Sequence, residues 1–483
     1  MKRSPKSKHH FQSKRRPEGP IRPAASMPVI NPHAAGIDVG ATEHYVCVPL
    51  DAAPAGEEFV RCFGTFTQDL DQLVEWLLKC GIQTVALEST GVYWIPLYEK
   101  LEAAGIKVVL VNARHLRQVP GRKTDVKDCQ WLQQLHSYGL LNGSFRPEAP
   151  IRRLRTLMRH RGNLVEQKAQ QVQHMQRALQ EMNILLHHVV SDLDGLTGLR
   201  ILDAMLAGER EPAKLVELRD PHIKRSTIRE MEAALKGNWQ PEHLLVLAQA
   251  RKAYQFVESQ MQELDNAVDE VLQSLPKASV VAVAENPPLP AEAHQVPKAD
   301  KPKRKRRAGG NEPAQDLLPA LHRICGVDLS QLGGVNMLGI LILISEIGTD
   351  MSLWRNEKAF SAWLGLAPGN KISGGRILSS RTPYVVNRIA TLLRTLAVTM
   401  GRTDTWLGSF HRRMRARLGP GAAATATAHK LACIIYHLLK HKEPYVDVNR
   451  LVYEEKIQRR RLGHLRKQAE DLGFELVEIQ KAA

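Results

Sequence analysis

Four acidic residues lie where their carboxylates could share a divalent metal ion. Asp38 stands between two glycines in the apolar stretch 34–40, and Glu88 ends a second apolar stretch at 85–88. Asp125 and Asp128 are three residues apart, so one helical turn would present both on the same face. An unpaired carboxylate in apolar surroundings costs on the order of several kcal/mol, so these acids need a partner. Hard oxygen ligands clustered in this way suit Mg²⁺ and metal-assisted phosphoryl transfer.

Each of the four acids has a simpler interpretation when it is taken alone. Asp38 could be a turn residue after a strand, and Glu88 could be a favourable charge at a helix N-terminus. Asp125 and Asp128 could be an N-cap and a first-turn acid. Their order along the chain, together with the elements that carry them, favours the shared metal site.

Hydrophobic periodicity predicts the elements that would position these acids. We expect strands at 36–39, 44–50 and 59–66, a helix from 70 to Gly81, a strand at 84–87, a helix at 94–104, a strand at 107–111 and a helix at 125–141. This β-β-β-α-β-α-β-α order is that of a ribonuclease-H-like domain, here at 34–146. An actin-like ATPase also opens with a strand and Asp-x-Gly, but the candidate for its second phosphate loop, at 326–329, lacks the following glycine.

A serine in a glycine-flanked loop is a second candidate for chemistry. Ser373 precedes Gly374 and Gly375, and arginines follow it at Arg376, Arg381 and Arg388. A serine hydroxyl could attack a phosphodiester while guanidinium groups hold the phosphate. No histidine lies beside Ser373 to act as a base, so the residues alone leave open that it is an ordinary loop serine.

The rest of the chain is predicted to be mainly helical. Apolar residues at a/d spacing in 147–275 predict a helical hairpin or an intermolecular coiled coil, with Arg161 and Lys168 interrupting the seam and an irregular tip at 195–221. Dimerisation is the favoured use of this region, and an interdomain spacer is the alternative. The C-terminal domain, 316–449, contains a helix-hairpin-helix-like element before the serine loop. The fold class is therefore α/β plus all-α.

Composition points to a nucleic-acid partner. Lys and Arg number 67 against 50 Asp and Glu, which gives a net charge of +17. We expect a disordered basic arm at 1–33, a basic linker at 276–315 and a basic helical tail at 450–483. A nucleic-acid clamp is favoured over a nuclear localisation signal for the linker. The expected contacts in the linker and tail are Lys303, Arg304, Lys305, Arg306, Arg459, Arg460 and Arg461.

Cysteine usage and hydropathy indicate a soluble cytoplasmic protein. The six cysteines are scattered and form no CxxC pair, so reduced thiols are expected. The N-terminus lacks the apolar core of a signal peptide. The longest apolar run, 338–344, is far shorter than the roughly 20 residues that a membrane span needs.

Four motifs together carry a family resemblance. GIDVG at 36–40, ALESTGVYW at 86–94, KTDVKD at 123–128 and WLGLAPGNKISGG at 363–375 resemble, in order, the DEDD transposases of bacterial insertion sequences, the one-ten and eleven-eleven family. The resemblance implies a RuvC-like domain, a coiled coil and a C-terminal transposase domain. The arm, the linker and the tail depart from shorter members of the family.

The resemblance also assigns roles and partners. It implies that Asp38, Glu88, Asp125 and Asp128 bind Mg²⁺, and that Ser373 forms a covalent link with DNA and is completed by the metal site of another protomer. It further implies donor and target DNA, an element-encoded guide RNA (the bridge RNA), and a homo-oligomer, a dimer with a tetramer in synapsis, at the bacterial nucleoid. Two alternatives stay open: a RuvC-like structure-specific endonuclease that uses metal-activated water, and a non-enzymatic nucleic-acid scaffold.

Overall fold

The computed structural model describes residues 28–89, 91–112, 125–223, 226–278, 311–383, 385–446 and 450–477. Most of the predicted basic arm and linker, with Lys303, Arg304, Lys305 and Arg306, lies outside these residues. The chain divides into two compact units, one ending at Arg146 and one beginning at Pro147. Among the described residues, none of the helices combines the length and the apolar character needed to cross a membrane.

The first unit is built on a five-stranded sheet. Its strands are β1 (Ala34–Val39), β2 (Glu43–Cys47), β3 (Val60–Gly64), β4 (Thr84–Glu88) and β5 (Lys107–Val111), in the spatial order β3-β2-β1-β4-β5. β1 is antiparallel to β2 and parallel to β4, which is parallel to β5. The helices are α1 (Thr67–Lys79), α2 (Trp94–Ala103) and α3 (Asp125–Ser137). The predicted element order is confirmed, although α3 ends four residues earlier than expected.

The two faces of this sheet are covered by different helices. Side chains alternate along a strand, so Ile37 and Leu87 point to one face, where they pack with Leu73 and Leu101 of α1 and α2. Ala86 points to the other face, where it meets Leu132 of α3 in a smaller cluster. Gly36 pairs with Ala86, so Gly36 also faces α3. Asp38, two residues further along β1, faces α3 as well.

The second unit begins with two long helices, α4 (Ala149–Glu181) and α9 (Pro241–Ser274). Ion pairs join Arg161 to Asp265 and Lys168 to Glu258, so the helices run antiparallel. Of the two sequence alternatives for this region, the structure has the hairpin within one chain. Arg161 and Lys168, which interrupt the apolar seam of α4, thus each pair with an acidic residue of α9.

The segment predicted as an irregular tip is helical, so that prediction was wrong. Between the long helices lie α5 (Leu186–Val189), α6 (Leu196–Leu206), α7 (Pro212–Glu217) and α8 (Ile228–Ala234). Buried apolar residues of α6, such as Ile201 and Met205, pack with the facing ends of α4 and α9. Pro212 occupies the first turn of α7, a position that suits its fixed φ. The glycines and prolines at 195–221 therefore mark helix ends within a small core.

Seven α-helices, one short 3-10 helix (Leu329–Gln331) and one hairpin of strands are described in the remainder of the second unit. The helices are α10 (Leu318–Cys325), α11 (Met337–Ile347), α12 (Glu357–Trp363), α13 (Arg388–Met400), α14 (Trp406–Leu418), α15 (Pro420–His441) and α16 (Arg450–Asp471). β6 (Lys371–Ser373) pairs antiparallel with β7 (Arg376–Ser379). The serine segment is thus a β-hairpin rather than an irregular loop, and the C-terminal part is not purely helical.

Candidate metal centre and serine hairpin

Two of the predicted acids lie at the ends of neighbouring parallel strands. Ile37 of β1 is in register with Leu87 of β4, and the next residues along the two strands are Asp38 and Glu88. Equivalent positions on paired strands share a face, so both carboxylates lie on the face that α3 covers. Both side chains are half-buried.

A glycine allows α3 to approach this face closely. Gly36 precedes Asp38 by two residues, and a Cβ atom built on it would lie 2.5 Å from the carbonyl oxygen of Cys129 and 2.2 Å from the backbone nitrogen of Gln133. Both atoms belong to the backbone of α3, which has little freedom to move aside. Only a residue without a Cβ fits here. The close approach brings the first turn of α3, with Asp125 and Asp128, to the end of β1.

Three of the four predicted ligands converge. One carboxylate oxygen from each of Asp38, Asp125 and Asp128 can be chosen so that all lie within 4.8 Å of one another. Oxygen ligands lie about 2.0–2.6 Å from Mg²⁺ or Ca²⁺, so oxygens that share an ion are at most about 5 Å apart. The donor set therefore fits a hard divalent cation. Glu88 is not in this three-residue group, although it ends the strand next to Asp38.

Two buried thiols near the acids were not predicted from the sequence. Cys47 is in register with Gly36 on β2, and Cys129 follows Asp128 on α3. A hydrogen bond with Cys47, burial and the charge of Asp38 all raise the pKa of the Cys129 thiol. These effects favour the neutral form of the Cys129 thiol. All six cysteines are free, as expected.

The serine candidate stands at the end of the hairpin turn. Ser373 is in register with Arg376, and the two turn residues between them, Gly374 and Gly375, have φ values of 54° and 75°. Positive φ at both positions is typical of the two-residue turns that glycine favours. Directly opposed residues of antiparallel strands have Cβ atoms about 4.5–5.5 Å apart, so the hairpin holds a hydroxyl and a guanidinium side by side. Both side chains are exposed.

The other predicted basic contacts that the structure describes are exposed residues on several elements. Arg381 follows β7, and Arg388 begins α13. Arg460 and Arg461 are exposed on α16, whereas Arg459 forms an ion pair of 3.1 Å with Glu455. The predicted positions are thus accessible to a large anion, but Arg459 already has a carboxylate partner.

Comparisons with known proteins agree with this architecture, an α/β unit with a carboxylate cluster followed by a largely helical unit. A family model for DEDD transposases of the IS110 type, described as a transposase, matches residues 35–184. A second, described as the transposase IS116/IS110/IS902 family, matches residues 328–412. The four acids fall in the first match, and Ser373 falls in the second.

A curated relative points the same way. "Putative transposase y4pF/y4sB" of Sinorhizobium fredii is 26% identical over 142 residues, which are 27% of this chain and 35% of that relative. The chain thus matches about a third of the relative's length. The two family models thus confirm the resemblance, drawn from the four motifs, to the DEDD transposases of the IS110 type.

Proposed function

We propose that this protein is a metal-dependent DNA transposase that cleaves and exchanges strands through a serine nucleophile. The observation that carries the proposal is the convergence of Asp38, Asp125 and Asp128 at the edge of the sheet. The matches to two transposase family models support DNA as the substrate. The strand order β3-β2-β1-β4-β5 supports a ribonuclease-H-like, RuvC-like identity for the first unit.

The proposed metal ligands are these three carboxylates and Glu88, and the proposed ion is Mg²⁺. Glu88 joins the set because it ends the strand paired with β1, at the position equivalent to Asp38, and so lies on the face that α3 covers. A bound divalent ion would lower the pKa of a nearby hydroxyl and neutralise charge on the reacting phosphate. The carboxylates position that charge beside the DNA backbone.

Ser373 is the proposed nucleophile. Its Oγ attacks a DNA phosphorus and loses its proton, while the bond from phosphorus to one sugar oxygen breaks and that oxygen leaves as a hydroxyl. The opposed Arg376 is well placed to hold the phosphate, with Arg381 and Arg388 as further contacts. The serine–phosphate bond conserves the energy of the original phosphodiester. The free hydroxyl of another DNA strand can therefore attack this phosphorus, which forms a new phosphodiester and releases the serine.

The remaining partners are proposed from charge and family. A net charge of +17 suits donor and target DNA together with an element-encoded guide RNA. The hairpin of α4 and α9 is a proposed coiled-coil dimerisation device, with a tetramer in synapsis. We retain the predicted boundaries, 34–146, 147–275, 276–315, 316–449 and 450–483, as proposed domains of a cytoplasmic, nucleoid-associated protein with a basic arm at 1–33.

The test is a covalent protein–DNA adduct. Wild-type protein with its guide RNA, element-end DNA and Mg²⁺ should yield an adduct that survives denaturation and maps to a peptide containing Ser373. Ser373→Ala should abolish it, whereas Ser380→Ala, at another exposed serine after the hairpin, should keep it. Asp38→Asn should abolish adduct and cleavage together. An adduct that persists in folded Ser373→Ala would refute the assigned nucleophile.

A structure-specific endonuclease is the second candidate. The observation that favours it is that all three clustered carboxylates belong to the first compact unit, which could therefore carry metal-assisted hydrolysis by itself. In that case the same assay gives cleaved DNA with free ends and no attached protein, and Ser373→Ala cleaves at the wild-type rate.

A further inference from the structure

The helices α14 and α16 contact each other, and both are rich in arginine. α14 carries four arginines and no acidic residue. The first turns of α16 are fixed against it: Ser409 Oγ donates to Glu454 at 2.7 Å, Arg450 forms an ion pair with Asp404, and the rings of Trp406 and Tyr453 lie 5.6 Å apart. These contacts fix the first two turns of α16 beside α14. The side chains that follow on each helix are therefore held at a defined separation.

Two arginines from the two helices face one tyrosine. The Arg413 guanidinium of α14 lies 5.6 Å from the ring centroid of Tyr453. Arg460 follows Tyr453 by seven residues, two helical turns, and so lies on the same face of α16. Burial raises the pKa of Tyr453, and the charges of both Arg413 and Arg460 act against that rise. Tyr453 thus interacts electrostatically with the guanidinium groups of both Arg413 and Arg460.

This group lacks the acceptors that its donors require. Among the described residues, the buried Arg413 Nε and Tyr453 hydroxyl have no hydrogen-bond partner. Within the same part of the chain, neither Arg413 nor Arg460 forms an ion pair, whereas the adjacent Arg459 is paired with Glu455. A buried donor without a partner costs about 1–3 kcal/mol, and neighbouring like charges add repulsion. An anion that enters between the helices relieves both costs.

We propose that Arg413, Tyr453 and Arg460 form a binding site for one phosphodiester group of a nucleic acid. Two guanidinium groups supply the charge that a phosphate requires, and the phenol supplies a neutral donor. The inference rests on the proposed function for the presence of a nucleic acid, and it extends that function by assigning one shared phosphate to these three side chains. Such a contact fixes the backbone and carries no sequence information.

The test is the salt dependence of binding by the full-length protein. Binding of labelled duplex DNA of arbitrary sequence, and separately of a labelled RNA hairpin, is measured by anisotropy at several salt concentrations. For duplex DNA, each phosphate contact contributes about 0.9 to the slope of log K against log salt. Arg413→Gln and Arg460→Gln should each lower that slope by about one contact, and the double variant should also lower it by about one, because the arginines share a phosphate.

Matched variants separate this site from general charge. Arg177→Gln removes the same charge from an exposed arginine of α4 that is paired with Glu181, so its slope should stay near the wild-type value. Tyr453→Phe should weaken binding severalfold without changing the slope, because it removes only a neutral donor. If Arg413→Gln does not fold, Arg460→Gln and Tyr453→Phe still carry the test, since both substitutions lie on an exposed or partly exposed helix.

The outcomes decide between this site and the proposed function. The site is refuted if Arg460→Gln behaves like Arg177→Gln, or if the double variant loses the sum of two contacts. Comparison of the two probes then shows whether DNA or RNA supplies the phosphate. A wild-type adduct at Ser373 with unaltered slopes in the variants refutes the site alone. Altered slopes without any adduct retain the site and refute the proposed nucleophile.

Discussion

The substitution Gly36→Ala tests how the first unit assembles its carboxylates, because it leaves all four acids in place. The new Cβ would lie 2.2 Å from Gln133 N, 2.5 Å from Cys129 O and 2.8 Å from Gln133 Cα, all in the backbone of α3. Nonbonded heavy atoms rest at about 3.5 Å, so α3 must move away from the sheet by about 1 Å. That displacement carries Asp125 and Asp128 away from Asp38.

The expected result is a loss of metal binding that exceeds the loss of stability. Overpacking of a close helix–sheet contact costs about 1–3 kcal/mol, which chemical denaturation measures. A misplacement of about 1 Å can reduce a reaction rate about 100-fold. We expect the affinity for Mn²⁺, followed by electron paramagnetic resonance as a probe of the divalent site, to fall at least tenfold in the folded variant.

Gly143→Ala is the matched control in the same unit. A Cβ at Gly143 would meet Val109 Cγ1 at 3.5 Å, an ordinary contact, so Mn²⁺ affinity should be unchanged. Wild-type Mn²⁺ affinity in folded Gly36→Ala would refute the argument that this glycine sets the position of the acids.

Two further predictions concern stability. Asp265→Asn should lower the free energy of unfolding by roughly 3–5 kcal/mol, because Arg161, 2% exposed, would lose its buried carboxylate partner. Glu258→Gln, whose side chain is 41% exposed, should cost less than about 1 kcal/mol, and equal losses in the two variants would contradict this interpretation. Burial lowers the pKa of His44, so the folded protein takes up this proton less readily than the unfolded chain. The stability that results is present above the ordinary histidine pKa and is lost as the pH falls through the lowered pKa of His44. In His44→Gln, the free energy of unfolding measured by denaturation should therefore fall less between neutral and mildly acidic pH. The same fall in the variant and the wild-type protein would contradict the prediction.

The sequence was sufficient for the order of elements in the first unit because its strands and helices have distinct periodicities. The acids could be located for the same reason, since each ends or begins one of those elements. Their distances could not be predicted, because they depend on how closely α3 approaches Gly36. The approach is set by the absence of one Cβ atom rather than by any pattern of polar and apolar residues.

The errors in the second unit have a local cause. The strands beside Ser373 have three and four residues and are almost fully exposed, so they show no hydrophobic alternation, and only the paired glycines indicated a turn. The short helices at 195–221 are too brief for a periodic signal and depend on packing against α4 and α9. Arg413 and Tyr453 were missed because their proximity requires α16 to dock on α14, which no single segment encodes.

The central claim is that carboxylates from separate segments bind one divalent site. Titration of the full-length protein with Mn²⁺, followed by electron paramagnetic resonance, tests it without DNA or RNA. The account predicts saturable binding that Mg²⁺ displaces and that Asp38→Asn and Asp128→Asn each weaken at least tenfold, while Asp51→Asn, at an exposed aspartate in the same unit, leaves it unchanged. Equal Mn²⁺ affinity in all three variants and the wild-type protein would contradict it.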